Sequence, residues 1–479
     1  MTYRPLILWL LCYATAWTLL TYRLDPTVPY DAVEALNWGT NAEWGSPKNP
    51  WLVGAMMQPV VRLPWLSVPL YWYAVHFMAI AIGMLGVWLL ALRLGGSRRL
   101  AWLALLTLNV SGIINIDIIP YNDNYLLVML WPWLMLCYYQ AITRSANWWP
   151  AVAVVAGLAM MAKYSTAVLV GGMLLSTLWV APLRRCYRQP PFYLALAIGL
   201  ALVLPNALWL WQHDWVAFRW VDSQIKRQLN PGILLTLPLV FYPVSLLWLM
   251  LRRAGAVLSW PDEMAMRALL WIYLLPLCAI IVWFSFNVGG RLTEWLQPWL
   301  ILAPPLLVGC VRQPPSGSLR AAMLGLGCAA LVVYLGYAAV MLANVRNAGQ
   351  KMVGIKAFSL EVEQRWRQRY HSELRYVGGD YLSQWLTVYA DSRPQIVTRW
   401  TLATRPNIYN ADLSATQIAR HGVALMGRLG ERCAQSRFNG ALDSWPQLRI
   451  DWQQELPFQA DPHAERQTLC VAFVRPQPR

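Results

Sequence analysis

The chain has 479 residues, 58% of them hydrophobic, and a mean hydropathy of +0.38. Apolar runs of about 20 residues, the length that crosses a bilayer, recur along it, which excludes an ordinary soluble protein. The formal charge of +16 does not indicate a nucleic-acid-binding protein, because many Arg residues lie in short loops between apolar runs and no basic stripe with interleaved aromatic residues is present.

Eleven apolar segments are predicted to be membrane-spanning helices. The first follows Arg4 like the apolar part of a signal peptide, but no small-x-small cleavage site comes after it, so we predict a retained helix. The segments are residues 5–21, 69–92, 100–116, 124–141, 149–162, 165–181, 191–210, 233–251, 267–286, 295–311 and 320–343. This pattern is typical of an all-α polytopic membrane protein.

Loop charges predict the orientation of these helices. Thirteen of the 21 Lys and Arg residues in 1–344 lie in one set of alternate loops, which the positive-inside rule places in the cytoplasm together with the N-terminus. An odd number of spans then places the tail, residues 345–479, on the opposite, external side.

The acidic residues of the apolar region share that external side. Nine of the 11 Asp and Glu in residues 1–344 fall there on this topology. They are Asp25, Asp31, Glu34, Glu43, Asp117, Asp123, Asp214, Asp222 and Glu294. Because a carboxylate near lipid is costly, their grouping predicts a polar chemical site at the outer surface.

Two external segments are longer than plain connections. The first external loop, residues 22–68, contains helix-like stretches at 30–41 and 52–62, and long ordered loops usually carry function. We assign this loop to a transmembrane catalytic domain, residues 1–344.

The tail is predicted to be a separate small domain of mixed α/β structure. Residues 395–399 and 469–474 have the alternating pattern of strands, and 358–370 that of a helix. Cys433 and Cys470 can form a disulfide there if the compartment is oxidising, although sequence alone does not fix their geometry. The Cys and His residues show no metal-ligand spacing, so we expect no metal and no other cofactor.

An acidic pair opens the first external loop. Asp31 and Glu34 are three residues apart, which places both carboxylates on one face of a helix. The pair can supply a general base with a supporting acid; the alternative is solvated loop charge. Lys48 lies between two prolines beside a Trp, where it can meet an anion at the headgroup level or simply extend to the interface.

Further candidates lie in the later external loops. The turn between the third and fourth spans contains Asp117, Tyr121, Asn122 and Asp123, more polar groups than a plain turn requires. Lys163 ends the fifth span on the same side, either as an anion ligand or as an extended interfacial side chain.

The last two candidates are rich in aromatic residues. His213 and Asp214 are flanked by Trp residues that can form a sugar-stacking wall or an interfacial belt. Arg291 precedes Glu294 and Trp295 and can bind phosphate in a forked contact. Taken together, carboxylates that activate a hydroxyl, cations that neutralise a lipid-linked phosphate and indoles that stack on sugars suit one class of reaction, glycosyl transfer.

These motifs resemble those of a known family. The chain is similar over most of residues 1–310 to the polytopic GT-C glycosyltransferases that use polyprenyl-phosphate sugars, nearest to bacterial protein O-mannosyltransferases and lipid A aminoarabinose transferases. The matching segments are Asp31 with Glu34, Lys48-Asn49-Pro50, Pro120 through Leu127, Gly157 through Ser165, and Pro205 through Trp215. The pair Asp-x-x-Glu stands where the family often has adjacent Asp-Glu, and Asn49 follows Lys48 where the family has Pro.

The resemblance implies an inverting transferase with a monosaccharide on undecaprenyl phosphate as donor. Asp31 would be the general base, supported by Glu34 and a nearby Asp123. The implied phosphate-binding residues are Lys48, Arg62, Lys163 and Arg291, and those near acceptor or sugar are Asp117, Tyr121, Asn122, His213, Asp214, Glu294 and Trp295.

The resemblance also implies where the enzyme works. The acceptor would be an envelope glycan or lipid of the lipopolysaccharide or O-antigen type, and the protein would lie in the bacterial inner membrane with its tail in the periplasm. Two alternatives stay open: a transporter or flippase of a lipid-linked sugar, which predicts ionisable residues near helix centres, and a non-catalytic scaffold, which predicts that single carboxylate changes are harmless.

Overall fold

The computed structural model describes residues 3–25, 27–119, 123–343, 354–460 and 465–477. The chain divides into two compact units. The first unit comprises residues 1–21 and 73–343, and the second comprises 22–72 and 344–479. The first external loop thus belongs to the same unit as the tail, whereas the sequence analysis assigned it to the transmembrane domain; the predicted boundary at 344 stays a prediction.

Helices account for most of the described chain. They are α1 (Arg4–Leu24), α2 (Tyr30–Asn41), α3 (Trp51–Ala55), α4 (Gln58–Arg62), α5 (Val68–Gly95), α6 (Arg98–Asn109), α7 (Asn124–Thr143), α8 (Trp149–Ala162), α9 (Thr166–Trp179), α10 (Pro190–Gln212), α11 (Val216–Gln224), α12 (Ile233–Arg253), α13 (Met264–Ser285), α14 (Leu292–Gly309), α15 (Arg320–Leu342), α16 (Ile355–Tyr370), α17 (Leu386–Tyr389), α18 (Ala415–His421) and α19 (Ala441–Ser444).

The first unit is a helical membrane body. Seven described helices are long and apolar enough to cross a bilayer, and an eighth span results if α9 and the 3-10 helix Ala181–Arg188, bent by 98° at their junction, count as one. The prediction of a polytopic membrane protein is confirmed, but the count of eleven spans is not. A helix overlaps each of the eleven predicted segments. Four of these helices are not among the seven: α6, α8 and α9 have only 12, 14 and 14 residues, and the fourth is α14.

Short elements complete the first unit. A π-helical turn, Ile113–Asp117, follows α6 and carries Asp117 at its end. Two small antiparallel ladders pair β1 (Lys226–Arg227) with β3 (Asn287–Val288) and β2 (Val257–Leu258) with β4 (Val311–Gln313). These ladders satisfy backbone groups in loops between apolar helices.

The second unit contains a five-stranded mixed sheet. Its strands are β5 (Tyr376–Gly379), β6 (Gln395–Ile396), β7 (Val423–Leu429), β8 (Ile450–Phe458) and β9 (Gln467–Val474), in the order β6-β5-β7-β9-β8. β5 is parallel to both β6 and β7, whereas β9 is antiparallel to β7 and β8. Successive side chains of a strand point to opposite faces, which explains why Val423, Leu425, Cys470, Ala472 and Val474 share one core. The apolar runs of β7 and β9 are buried on both faces.

The second unit has helices at or near the positions predicted in the first external loop and in the tail. α2 has the predicted bounds, whereas the predicted helix at 52–62 is two short helices, α3 and α4. α16 begins three residues before the predicted start and ends where predicted.

A disulfide joins Cys433 to Cys470 on β9. The six other cysteines are free, in the part of the chain that the structure describes. Because the bridge closes a separation of 37 residues, it restricts the unfolded tail and stabilises the folded sheet.

We predict that replacing Cys433 with Ala lowers the stability of the second unit by about 4 kcal/mol, the chain-entropy estimate for a loop of this length. Protease susceptibility of the tail in the full-length protein measures the loss, and reductant should reproduce it in the wild type. Cys328→Ala, which removes an exposed free thiol, is the control. Equal protease resistance of the Cys433 variant and the control would contradict the prediction.

Candidate functional site

Asp31 and Glu34 lie one turn apart on α2. The helix begins directly after Pro29, which has a φ of −65°. Both carboxylates contact one cation. Lys48 Nζ lies 3.0 Å from Asp31 Oδ1 and 2.9 Å from Glu34 Oε2. Asp31, Glu34 and Lys48 are here called the acidic site. The two carboxylates lie on one helix, as their spacing predicts, and the catalytic roles of the three residues stay predictions.

The lysine is presented by a tight turn. Ser46 Oγ accepts from the Asn49 N–H at 2.9 Å and donates to the Asn49 carbonyl at 2.7 Å, while Ser46 N–H donates to the same carbonyl at 2.9 Å. An isolated bridge pairs Gly45 with Pro50. These hydrogen bonds hold residues 45–50 in a turn and thereby fix the backbone position of Lys48.

Exposure separates the members of the acidic site. The side chains of Lys48 and Asp31 are 18% and 13% exposed, whereas that of Glu34 is 1% exposed. A buried carboxylate is costly unless each oxygen has a partner. Lys48 Nζ donates to Glu34 Oε2 at 2.9 Å, and Asn407 Nδ2 donates to Glu34 Oε1 at 3.2 Å. Asp31 and Lys48 are therefore the members that a substrate can reach.

The first residue of α2, Tyr30, contacts the tail. Tyr30 donates its hydroxyl hydrogen to Gln384 Oε1 at 2.6 Å. Burial, and secondarily the charge of Glu34, raise the pKa of Tyr30 well above its usual range. The phenol therefore stays protonated as a structural donor and is not a candidate base.

A second polar group forms within the first unit. Arg291, which precedes α14, pairs with Asp117 Oδ1 and lies 3.6 Å from Glu294 Oε1. Gln297 Nε2 donates to Asp117 Oδ2 at 3.1 Å. The sequence predicted three of these four residues; Gln297, fully buried one turn after Glu294, was missed, although a polar residue at that spacing inside an apolar helix was a usable signal.

Asn124 extends this group to a second cation. Its amide donates to the Glu294 carbonyl at 2.7 Å and to Gln297 Oε1 at 3.1 Å, and its oxygen accepts from Lys163 Nζ at 2.9 Å. The resulting chain of contacts is here called the Arg291 network. Its members are Asp117, Asn124, Lys163, Arg291, Glu294 and Gln297.

The remaining candidates lie elsewhere. His213 stacks on Trp209 with ring centroids 3.9 Å apart and contacts its carbonyl through Nδ1 at 2.8 Å. Asp214 pairs with Arg219 at 2.9 Å on an exposed surface. Arg62 is exposed and donates to Gln58 at 3.0 Å. The predicted roles of these residues stay predictions.

Four further candidates complete the set. Asp123, immediately before α7, is buried, and its predicted proximity to Asp31 stays a prediction. The Trp295 ring lies 5.5 Å from that of Phe284. Tyr121 and Asn122 lie outside the described residues. In the described ranges no group of three or more His, Cys, Asp or Glu residues could hold a metal ion, and the expected absence of a cofactor stays a prediction.

We predict that Gln297→Ala destabilises the first unit by about 1–3 kcal/mol, because it removes buried partners of both Asp117 and Asn124. Thermal unfolding of the purified protein in detergent measures the loss. Gln224→Ala, on the exposed end of α11, is the control. An unchanged midpoint for the Gln297 variant would show that the network contributes nothing to stability.

The fold of this chain is similar to that of known proteins. Residues 67–209 match the family model described as dolichyl-phosphate-mannose-protein mannosyltransferase. The chain is similar to ArnT from Cupriavidus metallidurans bound to undecaprenyl phosphate, with a TM-score of 0.60, 14% identity and 98% of each chain covered. For apo ArnT the TM-score is 0.60, with 15% identity and 97% of each chain covered.

No curated protein matches the sequence. The structural likeness covers nearly the whole length of both chains, and all but the first six residues of the family match, 73–209, lie in the helical first unit. The resemblance to GT-C glycosyltransferases of the protein-mannosyltransferase and ArnT type, predicted from the motifs, is therefore confirmed.

Proposed function

We propose that the protein is a glycosyltransferase that takes its sugar from a polyprenyl-phosphate donor. The ArnT-like fold and the mannosyltransferase match support this class of enzyme. The observation that carries the proposal is the acidic site, where a partly exposed carboxylate, Asp31, lies 3.0 Å from a partly exposed cation, Lys48. A base beside a phosphate ligand is the minimum that glycosyl transfer from a lipid phosphate requires.

Asp31 is the proposed general base. It takes the proton of an acceptor hydroxyl while that oxygen forms a bond to the anomeric carbon, and the bond from that carbon to the phosphate oxygen breaks. The electron pair leaves with the polyprenyl phosphate. Attack from the face opposite the phosphate inverts the anomeric centre.

A single base suffices because of the leaving group. Inverting glycosidases need a second carboxylic acid to protonate an alkoxide, whereas a phosphate monoester leaves as a stable anion. Cations that stabilise the developing charge replace the acid. Lys48 is the proposed cation, and the arriving phosphate competes with the carboxylates for its ammonium group.

The Arg291 network is proposed to bind the polar parts of the substrates. Arg291 contacts Asp117 and Glu294, so it binds a phosphate only by exchanging a carboxylate partner. Lys163 is the other proposed phosphate ligand, while Asp117 and Glu294 are proposed to accept hydrogen bonds from sugar hydroxyls. His213 and Asp214 stay proposed acceptor residues.

The identity of the substrates is the finer part of the proposal. ArnT has been solved with undecaprenyl phosphate, and we propose the same lipid as carrier here. The proposed acceptor is an envelope glycan or glycolipid of the lipopolysaccharide or O-antigen type on the periplasmic side of the inner membrane. A sugar transporter or flippase is the alternative; product formation in detergent, where no compartments exist, discriminates against it.

We predict that Asp31→Asn lowers kcat about 10²- to 10⁴-fold, the usual contribution of a general base. Glycosyl transfer and release of undecaprenyl phosphate are measured with purified protein and a panel of undecaprenyl-phosphate hexoses and pentoses. The substitution keeps the size of the side chain, so donor affinity should change little.

Glu373→Gln is the matched control, because Glu373 is an exposed carboxylate of the same unit with a weak 3.8 Å pair to Arg375. It should keep full activity. Full turnover by the Asp31 variant would refute the catalytic assignment.

We predict that Lys48→Met weakens undecaprenyl phosphate binding at least tenfold, because it removes the cation proposed to face the phosphate. It also breaks the ion pair between Lys48 and the buried Glu34, a change worth about 3–5 kcal/mol when a buried ion pair loses one member. Binding is therefore measured below the unfolding temperature of the variant. Lys356→Met, at an exposed position of α16, is the control, and equal affinities for the two variants would exclude Lys48 as a phosphate ligand.

A further inference from the structure

The tail holds α2 through a loop that follows β6. Trp38 Nε1 donates to the Asn407 carbonyl at 2.8 Å, and Asn41 Nδ2 donates to the Tyr409 carbonyl at 2.8 Å. Asn41 Oδ1 also accepts from the Ala411 N–H at 3.2 Å. Residues 407–411, here called the clasp, thus follow the last turn of α2.

The connection after β5 reaches the same helix. The Gln384 side chain accepts from the Tyr30 hydroxyl at 2.6 Å, and the Trp385 ring lies 5.4 Å from that of Tyr30. β5 and β6 are parallel, so their carboxyl ends lie at one edge of the sheet. α2 thus contacts residues of two connections of the sheet, one that follows β5 and one that follows β6.

One residue of the clasp, Asn407, also contacts the acidic site. Of the two oxygens of the buried Glu34 carboxylate, Oε2 contacts Lys48 and Oε1 contacts Asn407 Nδ2. The Asn407 backbone is itself fixed by Trp38, one turn further along α2. The amide thus reaches Glu34 from a point that α2 holds in place.

We propose that Asn407 is a positioning residue of the transferase and that the tail is a working part of the catalytic site. This inference rests on the proposed function. By holding Oε1, Asn407 fixes the rotation of the Glu34 carboxylate. Oε2 then holds Lys48 between Glu34 and Asp31, where the ammonium group meets the donor phosphate. Asn407 thus acts on Lys48 through the Glu34 side chain and is not proposed to contact the substrates.

The test is a double-mutant cycle on the full-length protein. Asn407→Asp keeps the shape of the side chain but turns a carboxylate toward Glu34, and Glu34→Gln removes the charge that it would repel. We expect Asn407→Asp alone to lower kcat about 10- to 100-fold, as small displacements of reacting groups do, with little change in KM for the acceptor. In the Glu34→Gln background the same substitution should have a much smaller effect.

Asn410→Asp is the control. Asn410 lies within the clasp and donates to Gln395 at 3.1 Å, so it probes the same loop without reaching Glu34. It should keep wild-type kcat. Losses that add in the double variant, or an equal loss in the control, would show that Asn407 has only a general structural role and would overturn the proposal.

A second readout separates this inference from the proposed function. The thermal midpoints of the same four proteins report the contact without any turnover, and the two single losses should not add. Additive midpoints would overturn the contact and with it the positioning role. A wild-type protein without transfer activity on any donor overturns the proposed function, whereas active wild type with unaffected Asn407→Asp overturns the inference alone.

Discussion

One buried carboxylate, that of Glu34, connects three segments of the second unit. Glu34 is almost inaccessible, and a buried charge is tolerated only when its oxygens are paired. Lys48, a partner of Oε2, comes from a turn 14 residues further along the chain, and Asn407, a partner of Oε1, comes from the tail. The requirement to satisfy Glu34 therefore links a helix, a turn and a distant loop. It leaves Asp31, which shares the same lysine, as the partly exposed carboxylate.

The first unit meets the same requirement in another way. Its buried amides, Asn124 and Gln297, connect two cations with the carboxylates of Asp117 and Glu294. Amides can donate and accept at once, so they carry a polar network through an apolar helical body without adding net charge. Each unit thus holds its own ionised groups in fixed positions through paired contacts.

Local spacing explains which parts could be predicted. The apolar runs predicted helices at all eleven segments, and the i, i+3 spacing of Asp31 and Glu34 predicted that both lie on one face of α2. Their contact with Lys48 was not predicted from that spacing. The number of membrane spans could not be fixed, because α6, α8 and α9 are shorter than a bilayer requires and α14 is not among the helices long and apolar enough to cross one. Asn407 is 373 residues from Glu34, and no local pattern relates positions at that distance.

The most direct test of the account is a structure of the protein with an undecaprenyl-phosphate sugar. We expect the donor phosphate within about 4 Å of Lys48 Nζ, the usual limit for an ion pair, and the anomeric carbon accessible to a hydroxyl held by Asp31. A donor phosphate bound by other cations, with Lys48 still between Asp31 and Glu34, would contradict it.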